Sequence, residues 1–135
     1  MNDKVSLDFE TISKAIKRIK LPSVDFVVGI AEGGTIPAAL LAHQLELPLR
    51  LLRINYRALD KSPQRSSPAL LADFPPLPDG VRILLVDDVS VNGQTLALAC
   101  GQFAQHEFVT FTLKGRADIV LFPKITACVN WPWKA

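Results

Sequence analysis

The stretch ILLVDDVSVNGQT, residues 83–95, places two adjacent acids directly after four apolar residues. An apolar run that ends in polar residues predicts a buried strand, and the glycine-containing segment after it predicts a turn before a helix. Asp87 and Asp88 repel each other by about 1 kcal/mol at 4 Å in water, and by about 4 kcal/mol at an effective dielectric of 20. The pair is therefore favourable if the carboxylates hold a divalent cation or accept hydrogen bonds from ligand hydroxyls.

Strands alternate with helices on both sides of this stretch. The pattern predicts strands over residues 25–30, 47–56, 81–87, 108–113 and 118–122, and helices over 6–19, 36–45 and 94–105. The strands are nearly continuous apolar runs, which is typical of a parallel sheet covered on both faces. We therefore predict an α/β fold, with a parallel sheet of about four or five strands flanked by helices.

The composition excludes several classes of protein. The 135 residues suit one domain, which we expect to span residues 1–135. A net charge of +2 without a basic, aromatic-rich cluster argues against nucleic acid. No apolar run approaches the roughly 20 residues that span a bilayer, and the N-terminus is too polar for a signal peptide. We expect a cytoplasmic protein in which Cys100 and Cys128 are reduced and buried.

A proline-rich segment interrupts the alternation at about residues 56–80. It contains five of the ten prolines of the chain, and it predicts a long loop. Loops of this length in a small domain are usually functional or disordered. Arg53, Tyr56 and Arg57 lie at its start, where they are equally consistent with ligand contacts and with solvated charges.

Two loops are candidates for anion binding, because ligands of parallel sheets lie beyond the carboxyl ends of the strands. They are AEGGT, residues 31–35, and VSVNGQT, residues 89–95. Glycines let the backbone N–H groups approach an anion, and the following helix adds the positive end of its dipole. Ser90, Asn92 and Thr95 are further candidate donors. Magnesium suits a site of carboxylates and substrate phosphates.

These segments resemble a known family. ILLVDDVSVNGQTL is similar to the phosphoribosyl-diphosphate signature of the type I phosphoribosyltransferases, and VVGIAEGGTIPAALLA is similar to their diphosphate-binding loop and the helix after it. TLKGRADIVLFP and VNWPW resemble the base-binding region of the 6-oxopurine members, especially the short bacterial xanthine–guanine type. The resemblance covers the chain from about residue 24 to its end.

The resemblance implies an enzyme that transfers phosphoribosyl from its diphosphate to a purine-like base, with Mg²⁺, as a homodimer or higher homo-oligomer. Asp87 and Asp88 would be the catalytic acids, holding the ribose hydroxyls and also the metal. The 5′-phosphate would lie on Val89, Ser90, Val91, Asn92, Gly93, Gln94 and Thr95, and the diphosphate on Ala31, Glu32, Gly33 and Gly34. Lys114 and Val129 would contact the base, under a small C-terminal hood at about residues 123–135 and a mobile loop at about 56–80.

Three positions depart from the pattern of the purine members. Val91 and Asn92 stand where those proteins carry an aspartate and a small hydroxyl residue, and Glu32 stands where the diphosphate loop usually offers a basic residue. Glu32 would have to point away from the diphosphate, bind magnesium, or mark a weakened site. A regulatory module that binds phosphoribosyl diphosphate without efficient turnover is therefore a second hypothesis. A receiver-like signalling domain is a third, and Lys114 is also consistent with an ordinary solvated lysine.

Overall fold

A computed structural model describes residues 4–55, 69–70, 74, 76–90 and 93–133. Within these residues the chain forms three helices and eight strands, in an order that alternates between the two types through most of its length. The elements are β1 (Val5–Ser6), α1 (Phe9–Arg18), β2 (Phe26–Ala31), α2 (Thr35–Leu45), β3 (Leu49–Asn55), β4 (Ala69–Leu70), β5 (Arg82–Ser90), α3 (Gln94–Gln102), β6 (Glu107–Gly115), β7 (Ile119–Val120) and β8 (Val129–Asn130).

The main sheet has the strand order β4-β3-β2-β5-β6-β7. Strands β3, β2, β5, β6 and β7 are parallel, so the predicted parallel sheet is confirmed. Strand β4 adds a short antiparallel edge beside β3, inside the segment that the sequence predicts to be a long loop. The chain crosses from β2 to β3 on one side and from β5 to β6 on the other, which makes the gap between β2 and β5 the switch point of the sheet.

Helices cover both faces of the sheet, as the apolar strands predict. On one face, α1 and α2 bury their apolar side chains against β2, β5 and β6, in a core that includes Ile12, Leu41 and Phe111. On the other face, α3 packs Leu96 and Phe103 against the opposite side of β2, β3 and β5. Because both faces are covered, the strand residues between them are almost fully removed from water, and this fixes the carboxyl ends of the strands.

The C-terminal segment returns to the start of the chain. Strand β8 pairs in parallel with β1, with Val129 opposite Val5, in a sheet separate from the main one. Trp131 is buried in the core on the α1 side, and its ring stacks on Trp133 with centroids 5.5 Å apart. The predicted hood is therefore attached to the N-terminal segment by backbone pairing and to the core by Val129, Trp131 and Trp133.

Several local predictions were wrong. Strand β5 continues three residues past Asp87 to Ser90, because β6 goes on pairing with it as far as Ser90 and Gly115. Val89 and Ser90 are consequently strand residues and not loop residues. Cys128 is exposed and Cys100 is half-buried, so the two free thiols are not both buried. Among the described helices, none has the length and apolar character that a membrane span requires.

Candidate active site

The two predicted loops meet at the switch point of the sheet. Ala31 ends β2, Asp87 lies near the end of the adjacent β5, and the two strands are directly paired from Phe26 to Gly29. The chain leaves these strand ends in opposite directions, into α2 and then β3 on one side and into α3 and then β6 on the other. A crevice between diverging loops is where ligands of such sheets bind.

Close contact joins the two loops through glycine. A Cβ atom at Gly33 would lie 2.6 Å from both carboxylate oxygens of Asp88, and one at Gly34 would lie 2.5 Å from the carbonyl oxygen of Val86. Real Cβ contacts are not this short, so only glycine lets the 31–34 segment lie against β5. The Asp88 carboxylate consequently faces the segment that the sequence predicts to bind diphosphate.

The two acids have different environments. Asp87 is only 7% exposed, whereas Asp88 is half-buried. Oδ1 of Asp87 accepts the N–H of Asp88 at 2.8 Å, and Oδ1 of Asp88 accepts the N–H of Val89 at 2.7 Å. These local bonds help to orient both carboxylates.

The segment after the acids leads into α3. Ser90 is buried, and its Oγ has no hydrogen-bond partner within the described residues. Gly93 precedes the helix with φ of 78°, which favours glycine, and Gln94 and Thr95 form the first turn. Val91 and Asn92 lie outside the described residues. The start of α3 thus lies close in sequence beyond the acid pair, where the predicted phosphate loop requires it.

A cleft of about 390 Å³ opens beside the 31–34 segment. Its walls come from the end of β2, the first turn of α2, strand β3 and the C-terminal segment: Ala31, Glu32, Gly33, Thr35, Ile36, Leu51, Arg53 and Trp133. Nη1 of Arg53 lies 3.8 Å from Oε1 of Glu32, and the two side chains are 55% and 88% exposed. Glu32 therefore points toward solvent and toward the neighbouring strand.

A family comparison now agrees with this geometry. Residues 9–108 match the model of the phosphoribosyl transferase domain, which is well over half of the chain. The chain belongs to the type I phosphoribosyltransferase family. The resemblance drawn from the acid pair and the glycine loop is thereby confirmed, and the receiver-like hypothesis is set aside.

Individual relatives come from more than one branch of the family. An orotate phosphoribosyltransferase of Sulfurisphaera tokodaii is 34% identical over 90 residues, which are 67% of this chain and 42% of that protein. A xanthine–guanine phosphoribosyltransferase of Idiomarina loihiensis is 26% identical over 90% of this chain and 79% of its own. The crystal structure of a purine phosphoribosyltransferase from Pyrococcus horikoshii has the same fold, with a TM-score of 0.80, 23% identity, and coverage of 98% and 95%. The chain spans less than half the length of the orotate enzymes it matches.

The two predicted base contacts of this chain lie in different parts of the fold. Lys114 is half-buried on β6, directly opposite Val89 of β5, so it stands beside the strand that carries the acids. Val129 lies on β8 and pairs with β1, not with the main sheet. Lys114 therefore lies on the strand next to the acid pair, whereas Val129 lies in the hood.

Magnesium fits this site only with help from a ligand. Among the described residues, no group of three or more His, Cys, Asp or Glu side chains is placed to hold a metal. Asp87 and Asp88 are nonetheless hard oxygen donors at one strand end. Mg²⁺ is typically bound by one or two carboxylates together with substrate phosphates and waters. The donor set therefore fits a magnesium ion that arrives with a phosphate ligand.

Sequence reasoning missed part of the cleft. Ile36, Leu51 and Trp133 line it, although none of these three was predicted to be a site residue. Leu51 and Arg53 reach it because the register of β3 against β2 places Arg53 beside Ala31. A period-two pattern on β3 indicates which side chains share a face, but only the pairing register shows which strand end they face.

Proposed function

We propose that this protein transfers the 5-phosphoribosyl group from phosphoribosyl diphosphate to a nitrogenous base. The observation that carries the proposal is the approach of Asp88 to Gly33 at the switch point of the sheet. That contact brings a pair of acids and a glycine loop to one crevice, in a chain of the phosphoribosyltransferase family. The family assignment alone would not place the acids and the loop side by side in this chain.

Each part of the substrate has a candidate partner in this crevice. Asp87 and Asp88 hold the ribose hydroxyls, and the donors at the end of β5 and the start of α3 bind the 5′-phosphate. The diphosphate lies on the 31–34 segment, where the N-terminus of α2 adds its positive dipole. In this arrangement the negatively charged phosphate groups of the substrate lie at the N-termini of helices, and its ribose hydroxyl groups lie beside the two carboxylates.

The reaction is a substitution at the anomeric carbon of ribose. A bond forms from a base nitrogen to this carbon while the bond from the carbon to the diphosphate oxygen breaks, and the base loses a proton. Bound magnesium neutralises charge on the leaving diphosphate. The residues of the chain contribute by positioning the two reactants and by hydrogen-bonding the charged groups in place.

A 6-oxopurine is the base that we propose, and purine salvage is the corresponding role. Lys114 supports it, because an ammonium group beside the acid strand is placed to donate to a 6-oxygen. Xanthine–guanine proteins among the relatives support it as well. Orotate is the competing base, since orotate phosphoribosyltransferases are also among the relatives and orotate too carries oxygens that a lysine can recognise.

A regulatory module that binds phosphoribosyl diphosphate without efficient turnover is the second candidate. The exposed carboxylate of Glu32 beside the diphosphate segment favours it. A carboxylate near the diphosphate would weaken binding by about 1–4 kcal/mol if it pointed at the ligand. The residue type at position 91 also favours the regulatory module, because a valine cannot transfer the proton that an aspartate could.

Calorimetric titration with phosphoribosyl diphosphate and magnesium tests the proposal, followed by a panel of bases assayed for diphosphate release. The expected result is binding of phosphoribosyl diphosphate, with release of diphosphate when one 6-oxopurine is added. Release with orotate alone would show that orotate, and not a 6-oxopurine, is the base. Binding without any release would favour the regulatory module, whereas no binding would contradict both. Asp88→Asn should abolish binding or turnover, and Asp79→Asn is the control because Asp79 is an exposed acid that precedes β5.

Two further expectations accompany the proposal. A homodimer or higher homo-oligomer is what the family resemblance implies, and sedimentation velocity of the purified protein tests it. The cytoplasmic location stays a prediction.

A further inference from the structure

We propose that Arg53 is the cation that binds the diphosphate in this protein, and that Glu32 is its counter-ion when no ligand is present. The inference rests on the proposed function and names a residue for it. It starts from the sequence AEGGT at residues 31–35, which contains no basic side chain. Beyond the α2 dipole and a bound magnesium ion, such a loop offers the diphosphate no cationic side chain.

Strand pairing supplies that charge from outside the loop. Ala31 of β2 is the register partner of Arg53 on β3, and side chains of paired residues project from the same face of a sheet. Arg53 also lines the cleft together with Ala31, Glu32 and Gly33. Among the described residues that line this cleft, Arg53 is the basic one. Its guanidinium group is consequently a cationic partner for an anion on the loop that the described part of the chain supplies.

The bond that Arg53 makes with Glu32 is weak enough to be exchanged. Their closest charged atoms are 3.8 Å apart, which is an ion-pair distance but too long for a hydrogen bond. Both side chains are more than half exposed, and exposed pairs contribute little because water and salt screen them. A diphosphate offers the guanidinium two-pronged, charge-assisted hydrogen bonds instead. The arginine would therefore leave Glu32 for the ligand.

This exchange also accounts for the unusual acid in the loop. A free guanidinium beside the empty cleft would attract any phosphate from solution, whereas a weak internal counter-ion competes with such ligands. Glu32 then lowers the affinity of the site slightly without occupying it. Glu32 and Arg53 are thus one functional pair, in which the basic residue lies on the neighbouring strand and not in the loop.

Titration of four variants with magnesium and phosphoribosyl diphosphate, and separately with magnesium and inorganic diphosphate, tests the proposal. Arg53→Gln should weaken both ligands by roughly tenfold to hundredfold, the loss of one or two charge-assisted hydrogen bonds. Glu32→Gln should tighten both by up to about fivefold. The gain in affinity from Glu32→Gln should be smaller when Arg53→Gln is also present, because Glu32 and the ligand then no longer compete for Arg53.

Arg50→Gln is the matched control. Arg50 lies on the same strand, is exposed, and has its guanidinium carbon 5.9 Å from the ring centroid of Phe26. It should bind both ligands as the unchanged protein does. If the unchanged protein binds phosphoribosyl diphosphate and Arg53→Gln stays within twofold of it, the inference is overturned while the proposed function stands. Weaker binding by Glu32→Gln would also overturn it, since Glu32 would then be a ligand. A protein that binds neither ligand contradicts the proposed function itself.

Discussion

At the scale of single residues, the approach of Gly33 to Asp88 predicts a defect that separates function from stability. A methyl group at Gly33 would lie 2.6 Å from both carboxylate oxygens of Asp88 and would push that side chain aside. We expect Gly33→Ala to lower diphosphate release roughly 100-fold, the cost of misplacing a reacting group by about 1 Å. Unfolding free energy should change by less than about 1 kcal/mol, because a side-chain end can move.

Gly34→Ala is the control for this prediction, since it changes the neighbouring residue by the same methyl group. Its Cβ would meet the backbone oxygens of Val86 and Ile30 at 2.5 and 2.7 Å, and backbone atoms of paired strands cannot move aside. Gly34→Ala should therefore lower the free energy of unfolding by about 1–3 kcal/mol, as overpacking does. Assays of diphosphate release and urea denaturation check both variants, and equal stability losses would contradict the distinction.

The sequence could indicate site residues with a characteristic residue type and position, but not contacts that depend on strand pairing. Asp87, Asp88 and Gly33 could be proposed as site residues because charge at a strand end and glycine in a turn are visible along the chain. The partner of Glu32 was not, since Arg53 is 21 positions away in sequence and adjacent only through the β2–β3 register. A linear pattern gives the chemistry available at each position, whereas pairing decides which charges meet.

At the scale of elements, the end of the β5–β6 ladder depends on one glycine. Gly115 has φ of 103°, and a Cβ there would lie 2.0 Å from the carbonyl oxygen of Ser90. Gly115→Ala should therefore lower the free energy of unfolding by about 2–4 kcal/mol. Gly101→Ala, on the open surface of α3, should raise it by up to about 1 kcal/mol through helix propensity. Urea denaturation measures both, and a neutral Gly115→Ala would contradict this account.

Element boundaries were harder to predict than element types. The acids looked like the end of a strand because the apolar run stops at Val86, yet β5 continues to Ser90. The extension exists because β6 offers backbone partners as far as Gly115, and backbone pairing does not require apolar side chains. Strand β4 was missed because a strand of two residues shows no periodicity.

The two thiols give a prediction that depends on pH. Burial raises the pKa of the Cys100 thiol above its ordinary value, with a smaller contribution from the negative charge of Asp118. The reactive thiolate of Cys100 therefore forms only at a higher pH, while Cys128 is exposed to reagent. Iodoacetamide at pH 7 should modify Cys128 first, and modification of Cys100 should increase as the pH rises to 9. Mass spectrometry of timed digests checks this, and equal rates at pH 7 would contradict it.

At the scale of the whole molecule, the two ends of the chain are fastened to one core. Strand β1 pairs with β8, α1 buries Ile12 and Ile16 against α2, and Trp131 is 4% exposed in the same cluster. Within the described residues neither end forms a core of its own, because Ile12, Ile16 and Trp131 are buried in the same cluster as residues of α2 and the main sheet. We therefore expect the hood to unfold together with the sheet rather than before it.

Trp131→Ala tests this coupling. Removing a buried indole leaves a cavity, so the variant should lose about 3–5 kcal/mol of unfolding free energy. Phe9→Ala is the comparison, because Phe9 touches the same aromatic cluster through Trp133 but is 45% exposed, and it should lose less than half as much. Circular dichroism and tryptophan fluorescence should report one shared urea transition in each variant. Two separate transitions would show that the hood folds independently of the sheet that carries the acids, whereas equal losses would contradict the burial argument.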